Sequence, residues 1–291
     1  MRRFLLLALL LSSTAQAAKI DVHPGGLADA ARHASDGDEL VLAPARFENE
    51  STTIDKRLTI TGTPGKTLLA ATQPLANGKA ILILRGDVTV RGITFDGAQV
   101  ADRNGAGIRV ERGASLDVSN SVFTNNQDGI LAADGPGMVT VRGCTFRSNG
   151  AGDGYSHAIY VNHIARLTVA NSQFLGTRVG HHVKSRAAVT RISDSKFEDG
   201  PNGTASYAVD LPNGGDATIA NSEFRKAATS GNRAILHAGG EGTLQPNSIL
   251  RLTGNRFDSA RKNATALEAM QPVRVEASGN RFSGVPPIGP H

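Results

Sequence analysis

The chain has 291 residues, 40% of them hydrophobic and 20% charged, with a formal charge of +5; this allows one large domain or two ordinary ones and argues against a low-complexity or disordered polymer. With no tryptophan and three tyrosines, it offers no run of aromatic platforms on which bases could stack, which argues against nucleic acid as a partner. Its lone cysteine, Cys144, permits no internal disulfide, so stability must come from packing and hydrogen bonds.

Met1-Arg2-Arg3, the apolar run Phe4 to Leu11 and Ala15-Gln16-Ala17 have the three parts of a secretory signal peptide. The run is too short to span a bilayer. A leader at 1–17 predicts a mature protein from about Ala18, periplasmic or extracellular and not inserted in a membrane; losing Arg2 and Arg3 takes the charge from +5 to +3. Mild basicity in an exported protein suits an acidic polysaccharide.

Gly26 to His33 reads as a short amphipathic helix capping the first coil, and Glu39 to Leu42 as the first apolar strand. From Phe95 a repeat sets in, with Phe95, Phe123, Phe146, Phe174, Phe197, Phe224, Phe257 and Phe282 as its markers. Three residues before each marker stand Gly92, Asn120, Gly143, Asn171, Asp194, Asn221, Gly254 and Gly279. These residue types tolerate a left-handed backbone, so every repeat is expected to bend at that place. Five and seven residues before each marker lie two mostly apolar columns, Val118 and Leu116 for example, which describe a strand with alternate residues buried. Such coils bury their apolar faces only by stacking, about 4.8 Å per layer. The expected fold is all-β: a single-stranded right-handed parallel β-helix over 18–284, with the N-terminal capping helix and a flexible tail at 285–291. Asn120, Asn171 and Asn221 are expected to form a side-chain ladder, and Cys144 to be a small buried filler in a column of serines.

A second strand lies between markers, and setting Ile159, Val183, Val209 and Ile235 in one inward column places Tyr160, Lys184, Asp210 and Leu236 in the next outward one. Strict alternation sends His182, Lys184 and Arg186 to the outer face as a cationic stripe, with Asn162, Arg186 and Pro212 one column further out.

His157 to Val161, Gly180 to Ala187, Ser206 to Gly215 and Gly239-Gly240-Glu241-Gly242 resemble bacterial exported β-helix proteins of the pectate-lyase-like superfamily. That resemblance implies the right-handed β-helix. It leaves activity open, because the superfamily holds lyases, epimerases, hydrolases and non-catalytic scaffolds. The acidic calcium ligands of pectate lyases, the Asp-rich motifs of polygalacturonases and the Asp-Pro-His-Asp block of alginate epimerases are missing.

Eliminating across, or epimerising, a uronic acid at C5 requires a cation to neutralise the carboxylate, a base for the C5 proton and an acid for the leaving oxygen or opposite face. Arg186 can hold a carboxylate in a bidentate fork, His182 or Lys184 can act as base, and Tyr160 can deliver the proton. His157, His181, Asp210, Asn213, Arg233 and Glu241 complete the expected substrate-binding surface. The structural alternatives are a Lys184–Asp210 surface ion pair, turn hydrogen bonds at His157 and His181, turn chemistry from Asp210 to Asn213, a wall position for Glu241, and packing roles for His163 and His237. No metal ligand set is expected: no carboxylate is evident in the sequence behind His157, His181 and His182 to make a zinc site, while calcium held by loop carbonyls stays compatible. The function expected first is a polysaccharide lyase or C5-epimerase on an acidic glycan. Beside it stand a non-catalytic glycan-binding or envelope scaffold and a glycoside hydrolase, for which Asp153, Asp210 and Glu241 are the available carboxylates.

Overall fold

A computed structural model describes residues 17–289. The proposed leader lies outside the described residues except for Ala17.

The described chain winds through three parallel sheets of eleven, ten and nine strands, whose neighbours in space are strands one coil apart in sequence. One coil shows the pattern. Leu116–Ser119 runs in the first sheet, a bend at Asn120 leads to Val122–Thr124 in the second, and Asp128–Ala132 forms the third before the chain returns to the first at Met138–Arg142. All eight residues of the expected bend column adopt positive φ, between 49° at Asn120 and 69° at Gly92. A second left-handed corner, two residues after the marker, occurs at Gly97, Asn125, Ser148 and Gly176.

The markers Phe95 to Phe282 fall in register in the second sheet. Their rings stack with centroids 4.6 to 5.5 Å apart and planes within 11° of parallel. Leu69 holds this column in the coil lacking a phenylalanine, and Phe47 stands below it. Each fully buried ring contributes roughly 1.5–3 kcal/mol through its apolar area alone. The helix Leu27–His33 buries Leu27 and Ala31 and packs against the strand Thr52–Ile54, covering the first coil. At the other end Val285 and Ile288 rest against the core. None of the described helices is long and apolar enough to cross a membrane.

Two expectations need correction. Asn120, Asn171 and Asn221 form no ladder: they are exposed bends, and Gly143 and Asp194 occupy the coils between them. The ladder stands one residue later, where the amides of Ile93, Cys144, Ser172 and Ser195 donate to the hydroxyls of Ser121, Ser172, Ser195 and Ser222 at 3.1–3.2 Å. Cys144 is the expected buried filler, and burial raises its thiol to about 11. The second correction concerns register in the third sheet. Val209 pairs with Leu236, not Ile235, so His237 rather than Leu236 follows Asp210 in the outward column.

Candidate active site

The outer face of the third sheet stacks Arg109, Leu131, Tyr160, Lys184, Asp210, His237 and Glu268 one coil above another. Val183 and Ser185 point into the core, so Lys184 and Arg186 point out. A turn at Leu211 to Gly214 carries Asn213 to the same place, and the loop after Ala238 brings Glu241 over the face.

These side chains converge. Lys184 Nζ donates to Glu241 Oε1 at 2.6 Å, and Arg186 Nη2 donates to Glu241 Oε2. Through Nη1, Arg186 also donates to the Tyr160 hydroxyl, which itself donates to Asn162 Oδ1 at 3.0 Å. Arg186 Nε reaches Asn213 Oδ1 at 3.1 Å. The cations are mostly covered, with side chains 12% and 15% exposed, whereas the Glu241 side chain is 45% exposed. Desolvation pushes the Glu241 carboxyl up, but Lys184 and Arg186 outweigh it and hold the group below its ordinary value. For Arg186, desolvation is likewise outweighed, by Tyr160 and Glu241, and its pKa is raised. Asn213 does not bond its own backbone, as turn chemistry alone would have it: its Nδ2 donates to the carbonyl of Glu241 at 2.6 Å.

Beside the cations lies a buried layer. Asp210, 2% exposed, accepts from His237 Nδ1 at 2.7 Å and faces Lys184 Nζ at 3.7 Å and His181 Nε2 at 3.5 Å. The amide of His181 donates to His157 Nδ1, and the amide of Tyr207 to His181 Nδ1, so both rings carry their lone pair on Nδ1. Burial, with the neighbouring positive groups, lowers His157 well below the usual histidine range. His181 falls to about 4 by burial, partly opposed by Asp210. The rings of His157, His181, Tyr207 and His237 follow one another 4.4 to 5.0 Å apart, His157 on His181 and Tyr207 on His237 stacked and the pair between them tilted by 31°. Asp210 and His157 in this layer are buried and position their neighbours.

His182 does not belong to the outer stripe. It is fully buried, its ring lies 6.2 and 6.1 Å from Phe174 and Phe197, and its nitrogens bond Thr177 Oγ1 at 2.7 Å and Asp199 Oδ1 at 3.1 Å. The strand begins only at Val183, and at its entrance two successive residues face inward. The same holds one and two coils below: a side chain at Gly129 would strike Phe146, and Ala158 is fully buried. Alternation thus cannot be carried back through the corner, and His182 is removed from the candidate bases. His157, His181 and His182 do not converge on one point either. Arg233 also falls outside the cluster, pairing with Glu268 at 3.3 Å. Asp153 caps its own loop, accepting from the amides of Tyr155 and Ser156.

Sequence reasoning missed His237 because of the one-residue register slip. Aligning from the loop end, where Leu211 matches Ala238, would have found it. Asp128 was missed as well: fully buried, it accepts the amide of His157 at 2.7 Å through Oδ1 and leaves Oδ2 without a partner. Among the described residues, no group of three or more His, Cys, Asp or Glu side chains is arranged to hold a metal ion.

Comparison with known proteins places this geometry in a fold. Residues 76–174 match the family described as the right handed beta helix region. No curated protein sequence matches the chain. Among solved structures, an alginate lyase from Paenibacillus sp. str. FPU-7 superposes with TM-score 0.68 at 17% identity, covering 91% of this chain and 95% of that one. The PL6 family alginate lyase AlyGC gives TM-score 0.53 at 17% identity over 91% of this chain and 40% of its own. ORF18 of Geobacillus virus E2 gives 0.51 at 12% identity, covering 88% and 57%. The chain folds as a right-handed parallel β-helix.

Proposed function

We propose that the protein is an exported polysaccharide lyase that cleaves a uronic acid polymer by β-elimination at the Lys184–Arg186–Tyr160 cluster. The observation that carries this reading is that Lys184 and Arg186 already grip one carboxylate, that of the exposed Glu241, from two sides. A sugar carboxylate placed there receives the guanidinium fork of Arg186, with Asn213 fixing the fork's orientation through Nε. This neutralisation acidifies the C5 proton, which is otherwise too weakly acidic to leave.

With Glu241 displaced, Lys184 is freed from its closest ion pair, releases its ammonium proton to solvent, and as the neutral amine takes the C5 proton. The electron pair forms the C4–C5 double bond as the C4–O bond breaks, and Tyr160 protonates the departing oxygen. The products are a 4,5-unsaturated uronate and a new hydroxyl end. Two alginate lyases share the fold at low identity, which supports a carbohydrate substrate class. The hydrolase reading is disfavoured because Asp210 is buried and bonded to His237, which leaves it no room to flank a glycosidic bond.

The test is an absorbance screen for unsaturated product on alginate, pectin and glucuronan, with and without a chelator. Wild-type protein should produce the chromophore, with Lys184→Ala, Arg186→Ala and Tyr160→Phe each reduced at least about a hundredfold. Full activity in Lys184→Ala and Arg186→Ala would sink the assignment. Salt-sensitive binding without product would select C5-epimerisation or a binding scaffold, to be separated by proton exchange at C5.

A further inference from the structure

Glu241 is placed unlike a wall residue. Its carboxylate occupies the one point where Lys184 and Arg186 converge, and it is the most exposed member of the cluster. The chain around it is built to lie close. Gly239 and Gly242 adopt positive φ, and a Cβ on Gly240 would overlap the His237 ring. The loop is tied by its backbone: the Glu241 amide donates to the Pro212 carbonyl at 3.1 Å, and Gln271 Nε2 donates to the carbonyls of Gly239 and Gly242 at 2.7 and 2.9 Å. Only glycine at 240 lets the segment settle onto His237 so that the next residue reaches the cations.

Resting on the lyase reading for the identity of the seat, we propose that Glu241 is a specificity-determining residue that acts as an internal competitor: it fills the carboxylate seat in the free protein and must be displaced by the carboxylate of a uronic acid unit. A neutral sugar has nothing to exchange for the Glu241 contacts and leaves the loop closed. A uronate exchanges one carboxylate for another, so the two cations never lose their counter-charge. The loop then lifts from His237 and opens the floor of the site over Asp210. Because the apparent affinity is the intrinsic one reduced by the fraction of molecules with the seat empty, the competitor sets a threshold that single weak carboxylates do not pass.

The experiment measures binding by calorimetry in a Tyr160→Phe background, which halts turnover, using oligouronates from alginate, pectin and glucuronan and a neutral maltohexaose. Glu241→Gln keeps the size of the side chain and removes its charge; Gly240→Ala keeps the charge and pushes the loop off His237. Both should bind an oligouronate about ten- to a hundredfold more tightly than the parent, with maltohexaose unchanged. Unchanged or weaker oligouronate binding in both folded variants would overturn the proposal and make Glu241 a substrate ligand or a brace for the cations. Tighter binding with no elimination by the otherwise wild-type protein would keep the competitor and sink the lyase. Elimination with unaltered binding in the variants would do the reverse. Absence of oligouronate binding in every form would overturn both.

Discussion

Asp128 holds the clearest electrostatic tension among single residues. Its carboxyl is raised from 3.8 to about 8, chiefly by burial, and one oxygen has no partner. Between those values the native state keeps a proton that the unfolded chain releases, so stability falls as pH rises through the window, by about 1.4 kcal/mol per pH unit at most. His181 acts with the opposite sign. Lowered from 6.5 to about 4, it stays neutral in the fold where the unfolded chain is protonated, so stability falls as pH drops through that range. Below about pH 6.5 the Asp128 slope is opposed by His181 and by His157, which burial lowers in the same sense, and between pH 6.5 and about 8 the Asp128 slope dominates. Denaturant unfolding should therefore show a loss of about 2 kcal/mol from pH 6.5 to pH 8, and Asp128→Asn should flatten it. An unchanged slope in the variant would show that the carboxyl is not protonated at neutral pH. His182 lies in a similarly buried setting but is fully partnered, with Asp199 held below the usual carboxylate range because His182, Lys226 and Ser230 outweigh its desolvation.

At the scale of the element, the bend column decides how each coil turns. Asn171 sits at φ 51° with its side chain exposed, so its identity is a backbone requirement and not a packing one. Asn171→Val should cost about 1–2 kcal/mol, because a β-branched residue is forced into the left-handed region. Asn171→Gly should stay within about 0.5 kcal/mol. Equal losses in urea unfolding would mean that the Asn side chain, not the backbone, supplies the stability. The bends and the phenylalanine stack were legible in the sequence because both constraints are local and recur at each layer. Lys184, Arg186 and Tyr160 were legible for a related reason: they lie in or directly beside a strand, where alternation holds. His182 was misread because it lies at the strand's entrance, where the chain is still turning the corner.

For the whole molecule, each coil gains stability mainly from the two it touches. The last coil touches one. Its first-sheet strand Arg274–Ser278 is mostly exposed, and Phe282 is only partly covered although Val285 and Ile288 rest on the core. Hydrogen exchange should accordingly be slowest in the amides of the strands around Phe146, Phe174 and Phe197 and fastest in Arg274–Ser283. Uniform protection along the axis would mean that the solenoid opens as one unit and not from its end. The candidate site sits in the middle coils, where Tyr160, Lys184 and Asp210 come from three successive turns held in register on both sides.

Residue types in order were enough to specify the solenoid, its left-handed bends, its buried aromatic column and the outward pair Lys184 and Arg186, because each follows from a residue type repeated under the same local constraint. Three outcomes were settled in three dimensions alone: His182 faces the core, His237 and not Leu236 stands beside Asp210, and Glu241 reaches the two cations. They depend on a broken alternation at a corner, on loops of unequal length between coils and on a contact between residues more than fifty positions apart, none of which a local pattern of residue types encodes.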